Sequence, residues 1–461
     1  TIEGPVAFTA SGALSSTGYL TLQESGSIDI SGISTGTFTI GDLISSSTST
    51  GISLGDKLLI LGSGNNQTFD GAISGDSYGS IMKNGSGTVT FGGISTYYGG
   101  TTINDGKLAL KDSGNLAPTG TVLLAGDAKF DISGINYGEF VMGDLISSYT
   151  STEIILGSNQ LTFGGNSDQT FAGVISGKGS VVKQGSHVAT FTNANTYTGG
   201  TTVNDGTLVL SGNGLLSSTG SVALSGSGIF DVSAITPSGI TIGDLISSST
   251  SSQFILGGKN LTFGGSTDQT FAGAIIGEGS VVKQNSGLAI FSGNNTYSGG
   301  TTVNAGSFLI SGSGVLNQSG AVTLNNSGIL DISTVDSSLT IGDLIGSSSV
   351  SVINLGFKQL IFGTSTNQTY SGTIIGDSGT SGSIVKQGSG TQTFKNIFGY
   401  GGGTFINEGT LKITSSGVLP TQGAVTLSGT SVLDIGSISA SSMTIGDLIS
   451  SSSSSVVIGS K

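Results

Sequence analysis

The 461-residue chain has no Cys, no Trp and no Arg, only four Pro, and a single His at His187. Without Cys there can be no disulfide framework, thiolate nucleophile or Cys-ligated zinc. One His cannot form a metal-binding cluster, and any catalytic triad would depend on it alone. All 14 basic residues are Lys, set against 27 acidic ones, for a formal net charge of −13. The bidentate phosphate fork of Arg and the basic footprint of a nucleic-acid binder are both missing, so no nucleic-acid partner is expected. Apolar runs reach four residues, as in Leu58–Leu61, far short of the ~20 a membrane-spanning helix needs.

Glycine, by contrast, is abundant: 81 residues, against the ~7% of ordinary chains. Charged residues are 9% and hydrophobic ones 35%, with a mean hydropathy of +0.25. A disordered chain would be more charged and less apolar. Collagen is excluded because the glycines lack a three-residue period and proline is scarce.

Self-comparison shows a recurring unit of about a hundred residues. Gly-Asp-Leu-Ile occurs five times, with its Asp at Asp42, Asp144, Asp244, Asp343 and Asp447. Upstream of each lies an Asp between apolar neighbours: Asp29, Asp131, Asp231, Asp331 and Asp434. Gln-Thr-aromatic recurs at Gln67, Gln169, Gln269 and Gln368, and a Lys after apolar residues at Lys83, Lys183, Lys283 and Lys386. Gly-Gly-Thr-Thr-Ile/Val-Asn ends at Asn104, Asn204 and Asn304, and its last copy reads Gly402-Gly403-Thr404-Phe405-Ile406-Asn407.

Within a unit, β-branched or aromatic runs of three to seven residues alternate with Gly, Ser, Asn and Asp. Thr207-Leu208-Val209-Leu210 shows the two-residue period of a strand. No dozen-residue stretch carries a 3.6 period, so helix content is expected near zero. Propeller blades are ~40–45 residues and close with a fixed number. This unit is longer, and the chain begins and ends inside one. A parallel solenoid tolerates such a cut, because each turn contacts only its neighbours. The fold expected is therefore all-β: one continuous β-solenoid over 1–461, about four and a half repeats, with no linker and four or five turns of ~20–25 residues per unit.

Gly179 to Gly212 resembles the autotransporter-associated β-strand repeat, also called the passenger-associated transport repeat. The resemblance rests on Lys183, Thr190-Phe191, Asn195-Thr196-Tyr197, Gly199-Gly200-Thr201-Thr202, Asn204 and Gly206-Thr207-Leu208. The copies around Lys83 and Lys283 are similar. The copy around Lys386 departs at Asn396 to Tyr400 and at Phe405. The resemblance implies a bacterial type V secreted passenger with a right-handed parallel β-helix, displayed at the outer-membrane surface or released outside the cell. That family's signal peptide and membrane barrel are missing here, so a fragment, a processed passenger or part of a longer protein is expected.

The paired Asp positions suggest acid–base catalysis or calcium. Yet an enzyme needs one unique arrangement, whereas both positions recur in every unit. Gly-Asp-Leu reads as a turn, and an Asp between two apolar strand residues points outward. The glycine-rich calcium nonapeptide is absent, and Ca²⁺ wants six to eight oxygens. His187 stands where other copies have Gly87, Gly287 and Gly390, and reads as an exposed turn substitution. The recurring Lys is expected to bond a turn or pair with an Asp of the next turn; an isopeptide crosslink to Asn is the remoter option. Tyr97, Tyr197, Tyr297 and Tyr400 are candidates for an exposed sugar-binding row, with covering of a solenoid corner as the plainer reading. Asn66-Gln67-Thr68 and Asn367-Gln368-Thr369 match the glycosylation pattern, which a bacterial product seldom uses. The Ser runs Ser45–Ser47 and Ser450–Ser455 read as polar loop.

No catalytic, cofactor-binding or metal-ligating residue is assigned, and no cofactor is expected. The function expected is a non-enzymatic structural stalk or fibre module of the bacterial surface or extracellular space. Its competitor is an adhesin binding host protein or glycan through a lateral face; a polysaccharide-degrading β-helix enzyme ranks third. Partners expected are a continuation of a longer passenger or head-to-tail self-association, since both ends read as ordinary turns.

Overall fold

The computed structural model describes residues 1–9, 14, 18–377, 381–450 and 453–460. They form two compact units, Thr1–Pro237 and Ser238–Lys461. Each is an all-β parallel β-solenoid of short strands, with no α-helix among the described residues. In the first unit Ile81 pairs in parallel with Leu59, 22 residues before it, and with Thr101, 20 residues after it. Thr101 pairs with Val122 and Val122 with Leu145. One turn is thus about 21 residues, as the strand spacing implied.

Alternation within the strands sorts the side chains. Every second residue enters the interior, so successive turns stack their apolar residues into columns. One column of the first unit runs Phe38, Leu59, Ile81, Thr101, Val122, Leu145, all 3% exposed or less. The second unit has its counterpart in Ile240, Leu261, Val281, Thr301, Val322 and Leu344. Asp29 lies between the buried Ile28 and Ile30 and points outward, as expected.

The turn and the sequence spacing do not divide evenly. Five pairing steps carry Phe38 to Leu145, past Phe140, its equivalent in the next copy. The ladder that ends at Leu145–Ile146 continues through Ser147 to Phe171, then to Phe191 and Leu210. Phe140 instead starts a separate ladder with Leu161, Val181 and Thr201. Residues one copy apart therefore lie on different faces of the solenoid.

The corners need glycine where turns press together. Gly206 has φ 64°, and a Cβ there would sit 2.5 Å from the carbonyl oxygen of Gly185 and 2.6 Å from that of His187. Both the left-handed backbone and the closeness of the turn below exclude a side chain.

Phe163 is fully buried and stacks on Phe191 of the next turn, with ring centroids 5.7 Å apart. Phe163→Ala should cost about 3–5 kcal/mol. The loss should stay local, because a solenoid's stability is nearly a sum over neighbouring turns. Hydrogen exchange should speed up in the strands around 160–191 and stay unchanged in Ser27–Asp29; unchanged exchange at both places would contradict this packing.

Candidate functional site: three recurring polar clusters

In the first copy the Gly-Asp-Leu-Ile element enters a strand at its Asp, Asp42–Ile44, whereas in the following copies the chain bends at the Gly and the strand begins at Leu145, Leu245 and Leu344. Register explains the first copy: Tyr19-Leu20-Thr21 of the preceding turn pair with Asp42-Leu43-Ile44, and the ladder hydrogen bonds extend the backbone. The carboxylate is then engaged by the following turn. Asp42 accepts from the Ser63 hydroxyl at 2.5 Å, the Asn65 amide at 2.9 Å and Gln67 Nε2 at 2.9 Å. Gln67 Oε1 in turn accepts from the Leu43 N–H. The next copies repeat this: Asp144 holds Gly165 N–H, the Ser167 hydroxyl and Gln169 Nε2, while Asp244 holds Gly265 N–H, the Thr267 hydroxyl and Gln269 Nε2. Asp343 takes Thr364, Thr366 and Gln368. Each Asp–Gln pair joins two turns, and the Asp oxygens are occupied by N–H and O–H donors.

The recurring Lys is the second cluster. Lys183 shares strand parity with Val181, so it points inward, in register between Phe163 and Val203. Its side chain runs through the core and its ammonium emerges under a corner. There it donates to the backbone carbonyls of Gln184 at 3.1 Å, Gly185 at 2.7 Å and Asp205 at 3.1 Å, the last on the next turn. Lys83, Lys283 and Lys386 make the same three bonds. All four are 1% exposed or less. None forms an ion pair among the described residues, so turn bonding is the expectation that holds and the Asp pairing is not formed. Burial pushes the Lys83, Lys283 and Lys386 ammoniums down to about 8 against the pull of nearby carboxylates, and lowers Lys183 likewise.

The third cluster overturns the sugar-binding row. Tyr97, Tyr197, Tyr297 and Tyr400 are each 1% exposed. Their hydroxyls bond the first Thr of Gly-Gly-Thr at 2.7, 2.6, 2.6 and 2.8 Å: Thr101, Thr201, Thr301 and Thr404. Apolar packing favours burying the ring, and the Thr hydroxyl relieves the cost of burying its oxygen. Two residues earlier, Asn195 and Asn295 each accept a main-chain N–H of the turn below, from Ile175 and Ile275. In the divergent fourth copy Phe398 replaces this Asn, and packs 4.8 Å from Phe394. Phe405 replaces a half-exposed outward Thr, so that change leaves the interior intact.

The other residues selected from sequence scatter. Asp29 and Asp42 belong to different sheets, so the two recurring carboxylates form no common site. Asp131 is held by Ser133 and Lys107; burial alone would raise its carboxyl, but the Ser133 hydroxyl and amide and the Lys107 ammonium hold it below the usual range. His187 is exposed, with Nδ1 3.6 Å from Asp168. Asn66 and Asn367 accept the N–H of Thr88 and Thr391 one turn on. Ser45 is buried, accepting from Ser47 N–H and bonded to the Thr50 hydroxyl, so that run is an anchored loop rather than a free polar one. Ser451, Ser452 and Lys461 lie outside the described residues.

Gln169→Leu should leave the Leu145 N–H without its acceptor and remove one donor from Asp144, lowering stability by about 2–3 kcal/mol in a denaturant titration. The pH response follows from two groups of opposite sign. A lysine in the unfolded chain titrates near 10.4. The folded values are lower, so the unfolded chain binds more protons between about pH 8 and 10, and stability should rise with pH through that window. The buried Tyr97, Tyr197, Tyr297 and Tyr400 are raised by burial. Above about pH 10 only the unfolded chain ionises them, so stability should then fall. Thermal melts from pH 7 to 11 should show this maximum, and a monotonic decline from pH 7 would contradict it.

Two of the three clusters lie inside segments that match a family model. The passenger-associated-transport-repeat matches residues 82–110, 181–210, 281–310 and 384–413. Each match holds one buried Lys and one Tyr–Thr pair, whereas the Asp–Gln cluster lies in the intervening turns. No curated protein and no solved structure matches the chain. The chain thus carries four passenger-associated-transport-repeats, the repeat of autotransporter passengers, wound into a parallel β-solenoid.

Proposed function

We propose that the chain is a non-enzymatic structural segment of a secreted passenger, a stalk or spacer at the bacterial cell surface or outside the cell. The observation that carries this is the fate of the reactive groups. The recurring Asp, Lys and Tyr side chains that could do chemistry are spent on the backbone, hydroxyls and amides of their own and adjacent turns, in the same way in copy after copy. The sequence unit of about a hundred residues is the proposed building block. Right-handed winding is the proposed hand, in keeping with the strong preference of parallel strand crossovers. A second reading, an adhesin binding through a lateral face, draws support from two exposed tyrosines, Tyr78 and Tyr98.

The native gene carrying an epitope tag at the exposed Ser218–Thr219 corner tests the proposal in its own host. Antibody should label intact cells or the culture medium, and added protease should remove the surface label. Signal only after cell lysis would overturn the surface role.

A further inference from the structure

Tyr78 and Tyr98 are 80% and 53% exposed. They stand one turn apart on the same corner: Tyr98 N–H donates to the Asp76 carbonyl at 3.4 Å and Gly99 N–H to that of Gly79 at 2.8 Å. Neither phenol hydroxyl has a hydrogen-bond partner and neither ring contacts another ring, among the described residues. The Asp76 carboxylate beside them is exposed and has no ion pair or hydrogen bond among the described residues.

The fold does not require these side chains. The corresponding corners carry Lys178 and Thr198 in the second copy, and Glu278 and Ser298 in the third. The backbone differs too. Leu59 to Ile81 takes 22 residues, against 20 for Leu161 to Val181 and Leu261 to Val281 and 24 for Leu360 to Ile384, whose longer Gly376–Gly382 corner carries no tyrosine. Two extra residues, in the Asp76-Ser77 stretch, lengthen this corner and bring in the carboxylate. An insertion that adds an open acceptor and two open aromatic faces to a corner otherwise built from small and polar residues needs a role outside the core.

We propose that the Asp76–Tyr78–Tyr98 corner binds a neutral polysaccharide lying along the stacked turns. Adjacent turns rise ~4.8 Å, comparable to the length of one pyranose ring, so consecutive sugars can each lie against one tyrosine. The apolar face of a pyranose suits an aromatic ring, while its hydroxyls suit the phenols and the Asp76 carboxylate. A chain of net charge −13, with a free carboxylate in the site, repels sulfated or uronic-acid glycans, which selects an uncharged one. The proposal rests on the lateral-face reading and is independent of the structural one: surface display without sugar binding would defeat it and leave the spacer standing.

The chain has ten Tyr, and Y78A/Y98A would remove the emission of the site itself, so calorimetry, which needs no aromatic reporter, reads the binding. The test titrates the intact chain with cellohexaose, β-1,4-mannohexaose and maltohexaose, with a heparin hexasaccharide and tetramethylammonium chloride as controls. At least one neutral hexaose should give a heat of binding that saturates below about 10 mM, a weak affinity suited to a two-ring site. Y78A/Y98A should weaken that binding at least about tenfold with an unchanged circular dichroism spectrum, while Tyr149→Ala, at an exposed tyrosine outside the site, leaves it intact. Asp76→Asn, which removes a charged acceptor from the site, should weaken neutral-sugar binding and ease the exclusion of heparin hexasaccharide. No response to any neutral hexaose, equal binding by Y78A/Y98A, or a response to tetramethylammonium alone would overturn the proposal.

Discussion

Every turn of a solenoid must satisfy the polar groups that its corners withdraw from the strand ladder. A corner of the chain bends its carbonyls and N–H groups away from the neighbours above and below, and a buried orphan costs about 1–3 kcal/mol. This structure answers with side chains that reach between turns. The Lys183 ammonium collects two carbonyls from its own turn and one from the next. Gln169 couples the Leu145 N–H to the Asp144 carboxylate. Asn195 takes the Ile175 N–H. The apolar columns supply the driving force for stacking, but any stack of alternating strands would have those. The inter-turn polar bonds give each turn a specific partner, so they fix which turn follows which.

The four lysines also show why charge can be placed in so thin a core. A buried ammonium is costly when isolated, and a carboxylate partner would bring its own desolvation. Three main-chain carbonyls are already present at the corner and need only a donor. Lysine suits this because its flexible stem lies in the apolar column while its head has three N–H bonds to give. Burial still disfavours the charged heads of Lys83, Lys283 and Lys386, the part of the cost that the carbonyls leave uncompensated.

The fold was legible because period-two alternation, glycine-rich corners and self-similarity all point one way. The side-chain roles were less so. Lys183 stands two residues after Val181, and strand parity alone assigns both to one face; a charged residue there invites the opposite reading. The Tyr97 ring read most plainly as the cover of a corner, but its partner, Thr101, lies beyond a double glycine and was not legible. Only the corner geometry brings hydroxyl to hydroxyl. Asp42 of the first Gly-Asp-Leu joins a strand because its conformation is imposed by Tyr19–Thr21, far away in sequence, whereas the later copies keep a bend at the Gly. Sequence signals were thus reliable for what a residue does within its own strand, and weak where the neighbour one turn away decides.

The mismatch between turn length and copy length has a further effect. Thr102 lies on the ladder that leads to Ile146 and then Phe171, whereas its copy Thr202 lies on the ladder that starts at Phe140. Equivalent outward residues therefore look in different directions, as marks along a screw do. Duplication of a gene segment ordinarily makes a wall of identical side chains, and such a wall is self-complementary and prone to sheet-on-sheet adhesion. Here the second copy is turned away from the first. The chain can grow by copying one segment without copying a sticky face, and a change on one copy, such as the tyrosines at 78 and 98, gives that copy an address that no other shares.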